Sequence, residues 1–219
     1  MKHVDRTIKS VQDLIRMLSK QVKDDDTVWF RGQENSTWKL LPTMFRPPYA
    51  PFDSIKEMNS IKRFKQNALL NLTDRPSTEA EWMFLMRHHG VPTRLIDWTE
   101  APLVALYFIV ADTVLHGEDG ALWCLLPYLL NKQSKVDHIP GFDDDIELEN
   151  YLPSKVRGPG GSQSPIAAVG IRNSTRMYAQ QGIFTIAHKD TTAIEEVSPQ
   201  NLVSGTTEQS AQGNNRPIK

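Results

Sequence analysis

Residues 87–112 read "RHHGVPTRLIDWTEAPLVALYFIVAD", and the fold is decided by how that stretch is punctuated. Gly90 follows a helical run, "EAEWMFLMRHH", as a C′ residue does. Pro92 favours extended chain, so "TRLIDW" at 93–98 reads as a strand. In an alternating strand Arg94 and Asp97 stand on opposite faces, which argues against a simple pair between them. Thr99 is a good N-cap for the helix "EAPLVALYFIVAD", with Pro102 inside its first turn. That helix is apolar nearly all round, which predicts a central, buried position.

Upstream, Thr78 and Glu81 have capping-box spacing and start the helix that Gly90 ends. A helix over 53–71 carries Ile55, Met58, Ile61, Phe64 and Ala68 as its stripe. Residues 34–53, with four prolines, read as turns. In "TVWFRGQ", 27–33, strand-forming Val28, Trp29 and Phe30 lead to Arg31, and Gly32 ends the run. Ser10 and Asp13 open a first helix with Val11, Leu14, Ile15, Leu18 and Val22 on one face.

Downstream, "GALWCLLP", "IAAVG" and "GIFTIAH" read as strands. Residues 129–165 combine a charged segment with a Gly/Pro/Ser loop and suggest an insertion or mobile flap. From 191 to 219 few apolar residues remain, which predicts a poorly packed or disordered tail after one domain over 1–190. The fold class expected is α+β, with mixed, mainly antiparallel sheets and flanking helices.

Among 219 residues the net charge is -1 and the pI about 6.6, so no electrostatic footprint for nucleic acid or an anionic membrane is present. No run approaches the roughly 18 apolar residues of a membrane helix. The N-terminus has no apolar signal core, so an intracellular, cytoplasmic protein is expected. The lone Cys124 cannot form an internal disulfide and reads as a small buried hydrophobe. Without HxH, HExxH or CxxC spacing no metal is expected, and without GxGxxG or GxxxxGK[ST] a Rossmann or P-loop site is unsupported.

Several residues stay open between two readings. Arg31 is either a solvated strand end or a clamp for phosphate or carboxylate. Asp97 and Thr99 either cap the following helix or help its N-terminus hold an anion. Gln180 and Gln181 could bond the edge of a ligand or neighbouring backbone. His88 and His89 read as a polar helix end. Arg172 and Arg176 read as surface salt-bridge partners unless they share a cleft with Arg31.

Phe30-Arg31-Gly32, "HHGVPTRLIDWTEAPLVALYF" and "NSTRMYAQQGIFTIAH", in that order, resemble the FRG domain family over about residues 10–190. The middle stretch is similar to that family's "yGxPTRLLDWTxxPxxALyFA". Where the family usually closes with a helix and a strand, this chain runs into "NLVSGTTEQSAQGNNRPIK". An arginine ending an aromatic strand, then a strand passing through a hydroxyl into a helix, also resembles the outline of ADP-ribosyltransferases. That likeness implies an ADP-ribosyltransferase-like cleft, with NAD as cofactor. It also implies a toxin or defence effector with a protein or nucleic-acid acceptor.

By the same likeness Arg31 would hold an NAD phosphate and Thr99 the nicotinamide-ribose pocket. Gln180 or Gln181 would stand where those enzymes carry a glutamate. An amide supplies no full charge to a ribosyl cation, so Asp97 is the substitute carboxylate if it points into the cleft, with Glu195 or Glu196 as remoter ones. Gly32, Gln33, Thr93, Arg94 and Trp98 would complete the cofactor contacts, with Gly32 letting the backbone approach the ligand. Two alternatives run beside it. One is a non-catalytic module for a nucleotide or other anionic small molecule. The other is a buried polar network of Arg31, Arg94 and Asp97 that fixes the fold.

Overall fold

The computed structural model describes residues 6–21, 27–70, 72, 75–111, 118–141, 146–170, 182–199 and 202–207. In chain order the elements run β1 (Arg6–Ile8), α1 (Val11–Gln21), β2 (Trp29–Gln33), a 3-10 turn (Thr43–Phe45), α2 (Ser54–Ala68), α3 (Glu79–His88) and β3 (Leu95–Trp98). They continue with α4 (Pro102–Val110), β4 (Gly120–Leu125), α5 (Pro127–Gln133), a second 3-10 turn (Ile146–Tyr151) and α6 (Pro153–Val156). The last are β5 (Ile166–Val169), β6 (Ile183–Ile186), α7 (Ile194–Val197) and β7 (Leu202–Thr207). Helices and mainly antiparallel sheets are mixed along the chain, so the fold class is α+β as expected. Among the described residues no helix is long and apolar enough to cross a membrane.

The chain divides into two compact units. The first comprises Met1–Trp38, Thr99–Leu126 and Leu202–Lys219. Its sheet has the order β1-β7-β4-β2, antiparallel except where β1 meets β7. β4 lies inside that order and is buried along its whole length, which is why "GALWCL" shows no alternation. Cys124 sits there, and burial pushes its thiol up to about 12, so it is inert packing.

Helix α4 packs directly on β2. A Cβ placed on Gly32 would lie 2.0 Å from the Ala105 carbonyl oxygen and 2.9 Å from Ile109 Cγ1. The glycine is therefore a helix-seating residue, and the expectation that it makes room for a ligand is corrected. Leu14, Met17, Phe30, Ala105, Ile109, Leu122 and Cys124 form the core around this contact.

Three expectations for this unit change. α4 is not buried all round: Ala105 and Ile109 are, whereas Leu103, Val104, Tyr107, Phe108 and Val110 are exposed. A helix that is apolar on every side carries no signal of which face is covered, and only the face over Gly32 is. On α1 the buried positions are Leu14 and Met17, while Val11 and Ile15 face solvent; Val22 lies outside the described residues. The stretch from 191 is not uniformly poorly packed, since Leu202–Thr207 forms a strand between β1 and β4. Backbone pairing on both sides supplies what its polar letters hide.

The second unit comprises Lys39–Trp98 and Pro127–Asn201. Its antiparallel sheet has the order β3-β6-β5. The capping box of Thr78 and Glu81 is present at α3, and Gly90 takes φ +72 just past its end. Met83, Phe84, Leu95, Leu148, Tyr151, Ile166, Ala168 and Ile186 make the core. Leu148, Tyr151 and Val156 are buried and join this unit's packing, while Ile146 is exposed. On α2, Asp53 is the N-cap, Ile61 is buried, and Glu57 is buried where Ile55 was expected.

Candidate functional site

Of the residues singled out from the sequence, Arg31, Gly32, Gln33 and Thr99 belong to the first unit. Thr93, Arg94, Asp97 and Trp98 belong to the second. Gln180, Gln181, Arg172 and Arg176 lie outside the described residues.

In the first unit Arg31 is half-buried and stands opposite Trp123 in the β2–β4 ladder. Gln33 is only 4% exposed and its Oε1 accepts from Trp123 Nε1 at 2.6 Å. That amide hydrogen-bonds across the β2–β4 ladder. Thr99 exchanges two backbone hydrogen bonds with Phe30, at 2.7 and 2.9 Å. It is not the N-cap of α4, a position held by Ala101, because Pro102 opens the helix. The Thr99 hydroxyl instead accepts from the Ala101 N–H at 3.1 Å. Its half-buried side chain ties the chain down where it passes from β2's edge into α4.

In the second unit Arg94 is fully buried. Its Nε donates to Glu57 Oε1 at 2.8 Å, Nη1 to the Ala187 carbonyl at 2.5 Å and Nη2 to the Tyr151 carbonyl at 2.6 Å. Three of its five N–H donors hold three segments of chain, and burial leaves no surface for a ligand. Arg94 is a staple rather than a cofactor contact. Thr93 and Trp98 are buried too, and Trp98 Nε1 donates to Thr185 Oγ1 at 3.0 Å across the β3–β6 ladder. The expectation of a buried network is correct for Arg94 but not for its partner, which is Glu57.

Burial lifts the Glu57 carboxyl above its ordinary range, and the charge and hydrogen bond of Arg94 pull it partly back. Glu57 Oε2 has no hydrogen-bond partner among the described residues. Nothing in the sequence near 57 announces this role. Its position on α2 reads as polar surface, and the arginine it serves is far along the chain.

Asp97 has a different environment. Arg87 Nε donates to its Oδ2 at 2.7 Å, and Nη2 donates to the same oxygen. The Asp97 side chain remains 42% exposed and that of Arg87 22%. Arg87 also reaches Thr43 Oγ1 at 3.5 Å. Arg87 was missed from sequence; the available signal was a cation in the last turn of α3, ten residues before Asp97.

His188 follows β6 and is 5% exposed, with its ring edge-on to Tyr151 at 5.6 Å. Burial, joined by the charges of Arg94 and Lys189, pushes its imidazole down to about 4 against a backbone hydrogen bond involving Asn150. In the unfolded chain the ring regains a value near 6.5. The unfolded state therefore takes the proton first. The His188 contribution is fully present above about pH 6.5 and is lost as pH falls through about 4. We expect roughly 2 kcal/mol to disappear over that window. Urea titrations from pH 7 to 4 should show a shallower decline for His188→Phe; an identical decline would assign the acid sensitivity elsewhere.

Among the described residues no group of three His, Cys, Asp or Glu is placed to hold a metal ion. His88 and His89 are exposed at the end of α3, with rings 5.3 Å apart.

The chain is thus an α+β protein, and β2, β3 and α4 all fall within residues 27–112. Residues 26–118 match the model of the FRG domain, and the chain carries an FRG domain there. No curated protein and no solved structure matches the chain.

Proposed function

We propose that this FRG-domain protein binds a nucleotide, with NAD the foremost ligand and Arg31 the clamp on its pyrophosphate. The observation that supports the reading is the placement of Arg31. It sits half-buried on a strand made rigid on both sides by buried Trp29, Phe30 and Gln33. A guanidinium on such a base loses little freedom when it takes a phosphate in two charge-assisted bonds. Calorimetric titration of NAD should give binding by the wild type that falls about 30-fold in Arg31→Ala, with the fold of both checked by circular dichroism. A folded wild type that takes up no NAD ends the proposal.

A second reading, ADP-ribosyl transfer, is favoured by Asp97. Its carboxylate is oriented by Arg87 yet solvent-reachable. Breaking the nicotinamide–ribose bond leaves neutral nicotinamide with the electron pair and a ribosyl cation, which a fixed carboxylate stabilises. Water or a protein or nucleic-acid group then captures the sugar and loses a proton. Gln180 and Gln181 would hold ribose hydroxyls. This reading expects nicotinamide release that drops ~100-fold in Asp97→Asn. NAD binding with no release on any timescale leaves the protein a nucleotide-binding module.

A further inference from the structure

The second unit contains a cleft of about 500 Å³ that none of the sequence motifs marks. Phe52, Asp53 and Lys56 line it from the start of α2, Val156 and Arg157 from α6, and Lys189 from the segment after β6. Three cations and one carboxylate share this space.

The carboxylate is already engaged. Asp53 Oδ1 accepts from the N–H groups of Ile55 and Lys56 at 2.8 and 3.3 Å. The cap thereby withdraws the helix-end donors as well, so the recognition capacity of the cleft lies in its side chains. Lys189 is anchored, its Nζ donating to the carbonyls of Gly158 and Gly160, both at 2.7 Å. It keeps a third N–H and its whole charge. Lys56 and Arg157 have no carboxylate partner among the described residues. Three cations gathered in a concavity with a single carboxylate leave a net positive charge that concentrates anions there.

From this we infer that the cleft binds a phosphate monoester of nucleotide or sugar-phosphate size. The phosphate sits among Lys56, Arg157 and Lys189, and the organic part lies against Pro51 and Phe52. Phosphate fits better than a simple carboxylate because a dianion with three strong acceptor oxygens meets three cations, one of them a guanidinium fork. A space of this size falls within the roughly 300–1,000 Å³ typical of small-molecule sites. The site lies entirely within the second unit and is independent of Arg31.

The test is calorimetric titration of AMP, ribose 5-phosphate and inorganic phosphate into the full chain. It is done at low and high salt, for the wild type and for Lys56→Gln/Arg157→Gln. Lys189 is left intact because it also holds the 158–160 loop. The esters should bind the wild type more weakly at high salt, and the double variant about 30-fold more weakly than the wild type. Ribose 5-phosphate has no pyrophosphate for Arg31 and no base, so its binding separates this site from the NAD proposal. Two results overturn the inference. One is a folded wild type that takes up none of the three probes at about 10 mM. The other is a folded double variant whose affinity equals that of the wild type.

Discussion

Gly32→Ala is expected to destabilise the protein by about 3 kcal/mol or more, enough to remove a large share of a typical domain's stability. The added methyl would meet the Ala105 carbonyl oxygen at 2.0 Å and carbon at 3.0 Å. Both atoms are backbone, so no rotamer change relieves the clash. Either α4 lifts from the sheet or β2 bends away, and each opens the core formed by Phe30, Ala105, Ile109 and Leu122.

Ile109→Ala makes the prediction sharper. Its Cγ1 is the second-nearest atom in the way, at 2.9 Å. Removing it clears only a minor obstacle, so Gly32→Ala/Ile109→Ala should be no more stable than Gly32→Ala. Gly90→Ala supplies a contrast. That glycine has open space around it and needs only φ +72, for which about 1 kcal/mol is the expected cost. Urea midpoints of these variants decide the matter. If Gly32→Ala keeps the wild-type midpoint but loses ligand, the glycine serves a binding site and not the helix.

Gly32 also illustrates what the sequence could and could not disclose. That a glycine after Phe30-Arg31 has a special place is legible, but a missing Cβ does not name its visitor. The visitor turned out to be a helix about seventy residues on. Local grammar was read correctly because its causes are local: Thr78 with Glu81 starts α3, and Gly90 follows its end. The existence of β3 and β6 followed from Pro92 and from alternation, and each is shorter than the stretch read as strand.

What failed to show needed partners distant in sequence. Glu57 looks like helix surface until Arg94 is known to lie beside it. Asp97 looks like a helix cap until Arg87 is seen holding it. β7 has strand character only by virtue of β1 and β4 on its flanks. The exposed side of α4 escaped because an unpatterned apolar helix has no moment to read. For the candidate site the consequence is a shorter ligand set. Thr93, Arg94 and Trp98 are structural, and the proposals rest on Arg31 and Asp97.

Arg94→Met is expected to cost about 4 kcal/mol, through the charge it leaves behind rather than through lost packing. Arg94 joins α2, the end of the Ile146–Tyr151 turn and the residue after β6. Removing the cation strands the Glu57 carboxylate, 3% exposed, together with two buried carbonyls. Arg94→Lys should fall between wild type and Arg94→Met, since one ammonium cannot span all three acceptors. Adding Glu57→Leu to Arg94→Met should restore a substantial part of the loss, because an apolar pair avoids the stranded charge.

A pH test separates this account from cavity formation. Burial already lifts the Glu57 carboxyl, and without Arg94 the influence that lowers it is gone. The folded value then stands further above the unfolded one, near 4.3. A group raised in this way contributes fully below its unfolded value and loses that contribution as pH rises through the folded value. The deficit of Arg94→Met relative to wild type should therefore shrink as pH falls from 7 toward about 4.5. In Glu57→Leu/Arg94→Met the shrinkage caused by the stranded carboxylate should be gone. The pH dependence that remains should be that of wild-type Glu57 and of His188, which the Arg94 charge helps hold down. A deficit in Arg94→Met that stays constant across the range would mean that the lost volume, not the stranded carboxylate, sets the cost.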